Sequence, residues 1–250
     1  MGAGLIRAGV AALAVALVIG VAPAQASLIG AAQPTRAAVA LAAEGDYSSF
    51  FGDDALRGSG WAACPEPVTW SVDMGRLSPA AAKREMARLR TALGLWSRYS
   101  GVPLEFTGRQ PLVYDNTSYQ LRAADNSAPR TRHIYIGFYG GKEVSGLSGN
   151  VVGLARPTSM LAREVVSGMA VFRRGYVLRE QSEEPRHLTN LYLHELGHIF
   201  GLGHATSPTN VMYPTLGTMT DLGPGDRAGA RDYTQECTSQ PECLAALVTA

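Results

Sequence analysis

The sequence predicts one α/β (α+β) domain with a twisted mixed sheet of about five strands, a long backing helix, an active-site helix and a C-terminal helix. Of the 250 residues, 46% are hydrophobic and 17% are charged, which is enough apolar material for a buried core. Strand-like and helix-like segments follow one another as strand, helix, several strands, helix, helix. The formal net charge of +1 gives no reason to expect a nucleic-acid partner.

The first 26 residues are typical of a secretory signal. Arg7 supplies the basic start, residues 8–21 are apolar without charge, and residues 24–26 form a small-x-small cleavage site. An uncleaved membrane anchor is the alternative, but the apolar run is shorter than the roughly 20 residues that a spanning helix needs. We therefore expect a secreted protein that starts at Ser27, with no stable membrane insertion after signal cleavage.

Residues 27–60 are rich in Ala, Gly, Ser and Asp and have no sustained period. They predict a flexible linker or a short prosegment. Order is expected to begin near Trp61, and a single folded domain is assigned to residues 61–245.

The backing helix is predicted in the stretch up to Ser100. Ser78 is a good N-cap and Pro79 suits the first helical position. Apolar residues then recur at helical spacing and form one stripe that can face a sheet, at Ala82, Met86, Leu89, Leu93 and Trp96.

The strands are predicted from β-rich or alternating segments, with a polar loop between the second and the third. They are residues 67–73, 102–108, 133–140, 150–157 and 168–177. A helix is expected from about Pro185, with Glu183 and Glu184 at its positive end. A last short helix, capped by Gly225-Asp226, is expected to run to about Tyr233.

The three cysteines predict one disulfide and one leftover thiol, since export permits oxidation. Cys64 precedes the first strand, whereas Cys237 and Cys243 follow the last helix. A bridge from Cys64 to either of the other two would tie the ends of the domain together. A small Cys237–Cys243 loop is the alternative, and the sequence does not decide between them.

Three histidines near residue 200 have the spacing of a metal site. His194 and His198 are four residues apart, so on a helix their imidazoles project from one face and can reach one ion at about 2.0–2.1 Å. Glu195 lies close to such an ion without pointing at it. Gly201 ends the helix, so the chain can turn back and deliver His204 as a third ligand. Three imidazoles with an open fourth position are typical of catalytic zinc.

The alternative is a helix that is rich in histidine by chance. The pattern runs further than a chance match would, to His-Glu-x-x-His-x-x-Gly-x-x-His followed by Met212 in an Asn-Val-Met-Tyr-Pro turn. With these residues the chain resembles the metzincin zinc peptidases. The eight-residue step from His204 to Met212 resembles their matrixin branch. The resemblance covers about residues 65–235 and is specific in the zinc motif and the Met-turn.

The resemblance implies one catalytic zinc held by His194, His198 and His204. It implies that Glu195 is the general base for a zinc-activated water and then the proton donor to the leaving amine. Met212 would form the apolar floor under the histidines.

The resemblance also implies a substrate cleft. Its upper edge would be the strand at residues 168–177, where a peptide or protein substrate pairs as an added strand. Residues 214–216 would wall the pocket for the side chain after the scissile bond.

Two features depart from matrixins. Ala205 stands where they usually have Ser, and the loop ligands for a structural zinc and for calcium are missing. We therefore expect no second zinc, and the sequence gives no support for calcium. His133 and His187 are interpreted as ordinary polar residues.

The sequence thus predicts a secreted zinc-dependent endopeptidase that acts as a monomer. A secreted zinc-scaffold binding protein and a hydrolase of non-peptide amides are the alternatives. The intact Glu195 argues against the binding protein, because a pure binding module needs no base at that position.

Asp53 is a candidate latency switch. Phe50-Phe51-Gly52-Asp53 fits a Phe-x-Gly-Asp pattern that resembles astacin prosegments, in which the aspartate caps the zinc. A carboxylate oxygen can take the open position of zinc at about 2.0–2.2 Å. A flexible linker with a chance match is the simpler alternative.

Overall fold

A five-stranded mixed sheet organises the molecule, in a computed structural model that describes residues 45–52 and 57–237. The strands are β1 (Val68–Asp73), β2 (Leu104–Arg109), β3 (Leu112–Asp115), β4 (Gln120–Ala123), β5 (His133–Tyr139), β6 (Gly153–Leu161) and β7 (Glu164–Arg173). The main sheet has the order β2-β1-β5-β7-β6, and only β6 runs antiparallel to its neighbour. The fold class and the strand number predicted for this sheet are confirmed.

Four helices complete the described fold: α1 (Pro79–Ser100), α2 (Arg174–Glu183), α3 (Pro185–Ile199) and α4 (Pro224–Asp232). The predicted start of α1 is confirmed, since the Ser78 side chain accepts a hydrogen bond from the Ala81 N–H. Gly101 ends this helix in the left-handed conformation, with φ 75°. The backing helix, the active-site helix and the C-terminal helix are α1, α3 and α4.

The main core lies between the sheet and the two long helices. Alternate residues of β1 point into it, namely Val68, Trp70 and Val72. Helix α1 packs on α3, and the Trp96 indole N–H donates to the Leu193 carbonyl at 3.0 Å. This contact fixes the height of α3 relative to α1, and α3 carries the histidines.

The structure corrects the strand at residues 168–177. Its first part belongs to β7, which lies inside the sheet between β5 and β6, and its last part is the start of α2. Residues 165–172 are buried on both faces, as a central strand requires. The chain folds back in a tight turn between β6 and β7, so β6 takes the edge position.

The region predicted as a polar loop contains the hairpin of β3 and β4. Its strands bury one face each, and Leu112 and Leu121 cover the outer face of the main sheet. The helix α2 was also not predicted from the sequence. The alternating runs of the hairpin are only four residues long, too short to stand out from the polar residues around them.

A disulfide joins Cys64 to Cys237 across 173 residues of sequence. The backbone pairs beside it, because the Ala63 N–H donates to the Gln235 carbonyl and the Gln235 N–H donates to the Trp61 carbonyl. The structure therefore selects one of the three pairings that the sequence left open, and this bridge ties the two ends of the domain together. Cys243 lies outside the described residues.

The predicted signal, residues 1–26, also lies outside the described residues. Within the described ranges, no helix combines the length and the apolar character that crossing a bilayer requires. Residues 45–52 fall in the segment predicted as a linker or short prosegment, and they contact the domain at the C-terminal end of α3.

Candidate metal centre

The helix α3 begins and ends as its sequence requires. Pro185 occupies its first turn, and the Glu184 side chain accepts a hydrogen bond from the Arg186 N–H. Its last turn leads into Gly201, which has φ 92°. A side chain at Gly201 would also collide with the Ser59 carbonyl oxygen, so both the conformation and the space demand glycine.

The three predicted histidines meet at one point. His194 and His198 are fully buried on α3, and His204 reaches them from the chain that follows Gly201. The potential ligand nitrogens of the three rings all lie within 4.8 Å of one another. The Nε2 atoms of His194 and His198 are 3.2 Å apart.

Hydrogen bonds set the tautomers of the two helical histidines. The Nδ1–H of His194 donates to the Val211 carbonyl at 2.7 Å, and that of His198 donates to the Leu202 carbonyl at 2.8 Å. Burial lowers the pKa of His194 to about 3 and holds the pKa of His198 well below its usual value. Both rings are therefore neutral, and each directs an unprotonated Nε2 at the other, which is the arrangement of metal ligands.

His204 is placed differently. Its Nε2 is buried without a hydrogen-bond partner among the described residues, and the ring is only half-buried. Desolvation lowers its pKa as well. Three neutral imidazole nitrogens that share one space and have no protein donor to satisfy them fit a zinc ion.

Glu195 lies beside this cluster, and its carboxylate has no protein partner. The residue is fully buried, and neither of its oxygens makes a hydrogen bond to a described residue. Burial raises its pKa well above the usual value. Gly153, at the start of β6, lies directly against it: a Cβ there would be 2.5 Å from Glu195 Oε1. The edge strand thus passes over the carboxylate, and only glycine leaves room for it.

Met212, which the sequence predicted as an apolar floor under the histidines, packs against α3. Its side chain is fully buried, and the space between it and α3 is so small that a Cβ on Gly197 would overlap the Met212 sulfur. The same Cβ would be 2.7 Å from Trp96 Cζ2. Gly197 was not predicted from the sequence as part of the site, although a glycine in the interior of a helix is itself a signal of close packing.

A buried carboxylate fixes the turn that carries Met212. Asp226 accepts hydrogen bonds from the N–H groups of Val211, Met212 and Gly223 at 2.7–3.2 Å. Its pKa is raised by burial, and the three N–H donors act in the opposite direction. The sequence showed Asp226 only as part of a helix cap, because its contacts with the turn depend on the tertiary fold.

A pocket of about 170 Å³ lies beside α3, one turn before His194. It is lined by Asn190, Pro208, Asn210, Tyr213, Thr215, Leu216, Gly217 and Met219. Thr215 and Leu216 belong to the predicted wall, and Pro214 does not line the pocket. The Asn190 Oδ1 accepts a hydrogen bond from the Gly217 N–H at 2.9 Å, so this side chain joins the wall to the helix.

The other two histidines take part in separate contacts. His133 is buried, with its ring nitrogens 2.7 Å from Thr69 Oγ1 and 2.8 Å from Ser71 Oγ. His187 is 3.0 Å from the Glu180 carboxylate. Within residues 45–52 and 57–237, one group of three or more side chains is arranged to hold a metal, and it is the cluster around His194. Asp53 lies outside the described residues.

A family model described as Matrixin matches residues 61–232, which is more than half of the chain. No curated protein sequence gives a significant match. The matched range contains the whole sheet, the four helices and the histidine cluster.

Proposed function

We propose that this chain, which belongs to the matrixin family of zinc-dependent metalloendopeptidases, is exported and cleaves peptide bonds with Glu195 as its general base. One observation carries the mechanism. Three unprotonated imidazole nitrogens converge within 4.8 Å, and a buried carboxylate without a protein partner lies beside them. A structural metal site requires converging ligand nitrogens, but it does not require a buried carboxylate beside them.

In this proposal His194, His198 and His204 hold the zinc. When bound there, zinc supplies a Lewis acid that polarises the scissile carbonyl and lowers the pKa of a water towards about 7. Glu195 takes the proton of the attacking water and passes it to the leaving amine. Met212, held by Asp226, keeps the apolar floor under the rings and so fixes their orientation.

The substrate is proposed to pair with the free edge of β6 as an added strand. Support comes from the topology, since β6 is an edge strand of the described sheet and its Gly153 touches Glu195. A peptide on this edge would present its scissile bond to the carboxylate. The side chain after that bond would enter the pocket walled by Thr215 and Leu216.

Export is supported by the disulfide between Cys64 and Cys237, because such bridges persist in oxidising compartments. It agrees with the signal predicted at residues 1–26. Sequencing of the N-terminus of the secreted protein tests this part, and the expected first residue is Ser27.

The test of the catalytic proposal combines metal analysis with digestion. Elemental analysis should find one zinc per chain. The protein should digest a denatured protein mixture, lose this activity with a chelator and regain it with zinc. A zinc-loaded protein that cleaves neither denatured proteins nor a peptide library would instead favour a zinc-scaffold binding protein or a hydrolase of non-peptide amides.

Asp53 is proposed as a latency switch for the same site. Support comes from Phe50, three residues earlier, whose ring centre is 5.6 Å from that of His198. In the chain that starts at Ser27, Asp53→Ala should raise peptide hydrolysis, and the neighbouring Asp54→Ala is the matched control. Equal activities of the two variants and of the unaltered chain would leave residues 27–60 as a linker.

A further inference from the structure

The carboxylate of Asp46 binds the loop that follows the third histidine. It accepts hydrogen bonds from the Thr206 N–H, the Thr206 hydroxyl and the Ser207 N–H, each at 2.7 Å. It also accepts one from the Asn210 side-chain amide at 2.8 Å. These four donors lower its pKa, although burial acts to raise it. One side chain thus holds both ends of the segment between His204 and the Met-turn.

The residues after Asp46 continue along the same loop. The Gly203 N–H donates to the Ser48 carbonyl at 2.7 Å, and the Ser48 hydroxyl donates to the His204 carbonyl at 2.8 Å. The Phe50 N–H donates to the Gly201 carbonyl at 2.8 Å. We call residues 46–50 the leading strap. It binds the backbone on both sides of His204 and the carbonyl of His204 itself.

His204 needs such support more than the other two histidines do. His194 and His198 are anchored twice, by the helix and by an Nδ1–H bond to a carbonyl. The His204 Nε2 makes no hydrogen bond to any residue in the described ranges, and the ring only packs beside the other two imidazoles, so its place depends mainly on its backbone. That backbone lies in a loop without regular structure, and the leading strap is bonded to it.

We propose that the leading strap is a positioning element of the active enzyme, and that Asp46 is the residue through which it holds His204 in place for zinc. The inference rests on the proposed function only in taking zinc as the ligand of the three histidines. It assigns residues 46–50 to the working enzyme, so a latency switch at Asp53 would be released by movement of Asp53 and not by removal of the chain before it. Groups that hold a metal ligand in place set the affinity for the metal even where they do not touch it.

The test measures zinc affinity without substrate, so it is independent of whether the protein cleaves peptides. In the full secreted chain, Asp46→Ala should weaken zinc binding about tenfold in competition with a chromogenic chelator. Asp46→Asn keeps one acceptor oxygen, so its zinc affinity should lie between those of the unaltered protein and Asp46→Ala. With cobalt in place of zinc, the visible absorption of Asp46→Ala should change, because it reports the geometry of the ligands.

Asp115 offers a matched control. It is half-buried as well, and its carboxylate also accepts hydrogen bonds from two N–H groups and a hydroxyl, those of Thr117 and Ser118 at the tip of the β3–β4 hairpin. Asp115→Ala loses the same kinds of bond far from the histidines. It should keep the zinc affinity and the cobalt spectrum of the unaltered protein.

Two results would overturn the proposal. One is a zinc affinity for Asp46→Ala that is the same as for Asp115→Ala. The other is a rise in peptide hydrolysis for Asp46→Ala at unchanged zinc affinity, which would make the strap an inhibitor. If Asp46→Ala does not fold, Thr206→Val takes its place, since it removes only the hydroxyl bond and should weaken zinc binding about threefold.

Discussion

Two glutamates are fully buried among the described residues, and their surroundings are opposite. Glu85, on α1, accepts hydrogen bonds from the Tyr192 hydroxyl, the Gln181 amide and the Arg88 guanidinium. Glu195, on α3, accepts none from any described residue. Glu85 therefore joins three helices, because Gln181 lies on α2 and Tyr192 on α3. Glu195 joins nothing.

This is the difference expected between a structural carboxylate and the general base proposed for Glu195. Burying a carboxylate costs several kcal/mol unless donors compensate for the loss of water. Glu85 has such donors, so its burial is part of the stability of the fold. The burial of Glu195 is not compensated by the protein, so stability gives no reason for a carboxylate at this position. The proposed function does give a reason, since a general base beside a zinc site must keep its oxygens free.

The histidines show the same contrast. His133 is buried with both ring nitrogens in contact with hydroxyl groups, and burial lowers its pKa to about 4. It is a neutral part of the sheet. His194 is equally buried, but only its Nδ1 has a protein acceptor, while its Nε2 faces the other imidazoles. An unpaired ring nitrogen distinguishes His194, a proposed ligand, from His133, a core residue.

The first prediction is that Glu195→Gln abolishes most activity without weakening the fold. Peptide hydrolysis should fall by at least about 10²-fold, the lower end of the contribution of a general base. The zinc content should stay the same, because Glu195 is not a ligand. The temperature of thermal unfolding at equal zinc content should be unchanged or higher, since a neutral amide costs less to bury than a carboxylate without a partner.

Peptide hydrolysis, zinc content and unfolding temperature together distinguish a catalytic role of Glu195 from a structural one. Wild-type turnover in Glu195→Gln would remove the proposed mechanism. A large loss of stability would show that the Glu195 carboxylate has hydrogen-bond donors in the protein. The contrast between Glu195 and Glu85 would then be wrong.

The meeting of the three histidines could be predicted from the sequence, whereas the strand at the edge of the sheet could not. His194, His198 and Gly201 follow from helix geometry, which depends only on local spacing, and all of them have the expected places. The edge of the sheet depends on strand order, which is a tertiary property. Residues 168–177 are β-rich, but their position relative to β6 is set by a hairpin turn and not by composition.

The contacts that the sequence could not predict join segments that are far apart in the chain. Asp226 binds the Met-turn, Gly153 touches Glu195, and Asp46 binds the loop after His204. In each case the residue type is ordinary for its local context: a helix cap, a glycine at the start of a strand and an acidic residue in a polar segment. Only the folded chain shows which partner it meets.

The last prediction is that Glu85→Gln lowers stability and leaves activity unchanged, the opposite of the result expected for Glu195→Gln. Glu85→Gln keeps the shape of the side chain but turns an acceptor into a donor next to groups that already donate. We expect it to lower the free energy of unfolding by about 1–3 kcal/mol, the cost of leaving a buried polar group unsatisfied. In a domain of this size, that is a fall of about 2–4 °C in the unfolding temperature for each kcal/mol. Zinc content and peptide hydrolysis, measured well below that temperature, should match those of the unaltered protein. Glu85 contacts α3 through Tyr192, which is on the opposite face of that helix from His194 and His198. If Glu85→Gln lowered turnover as strongly as Glu195→Gln, the partners of a buried carboxylate would not reveal its role in this fold.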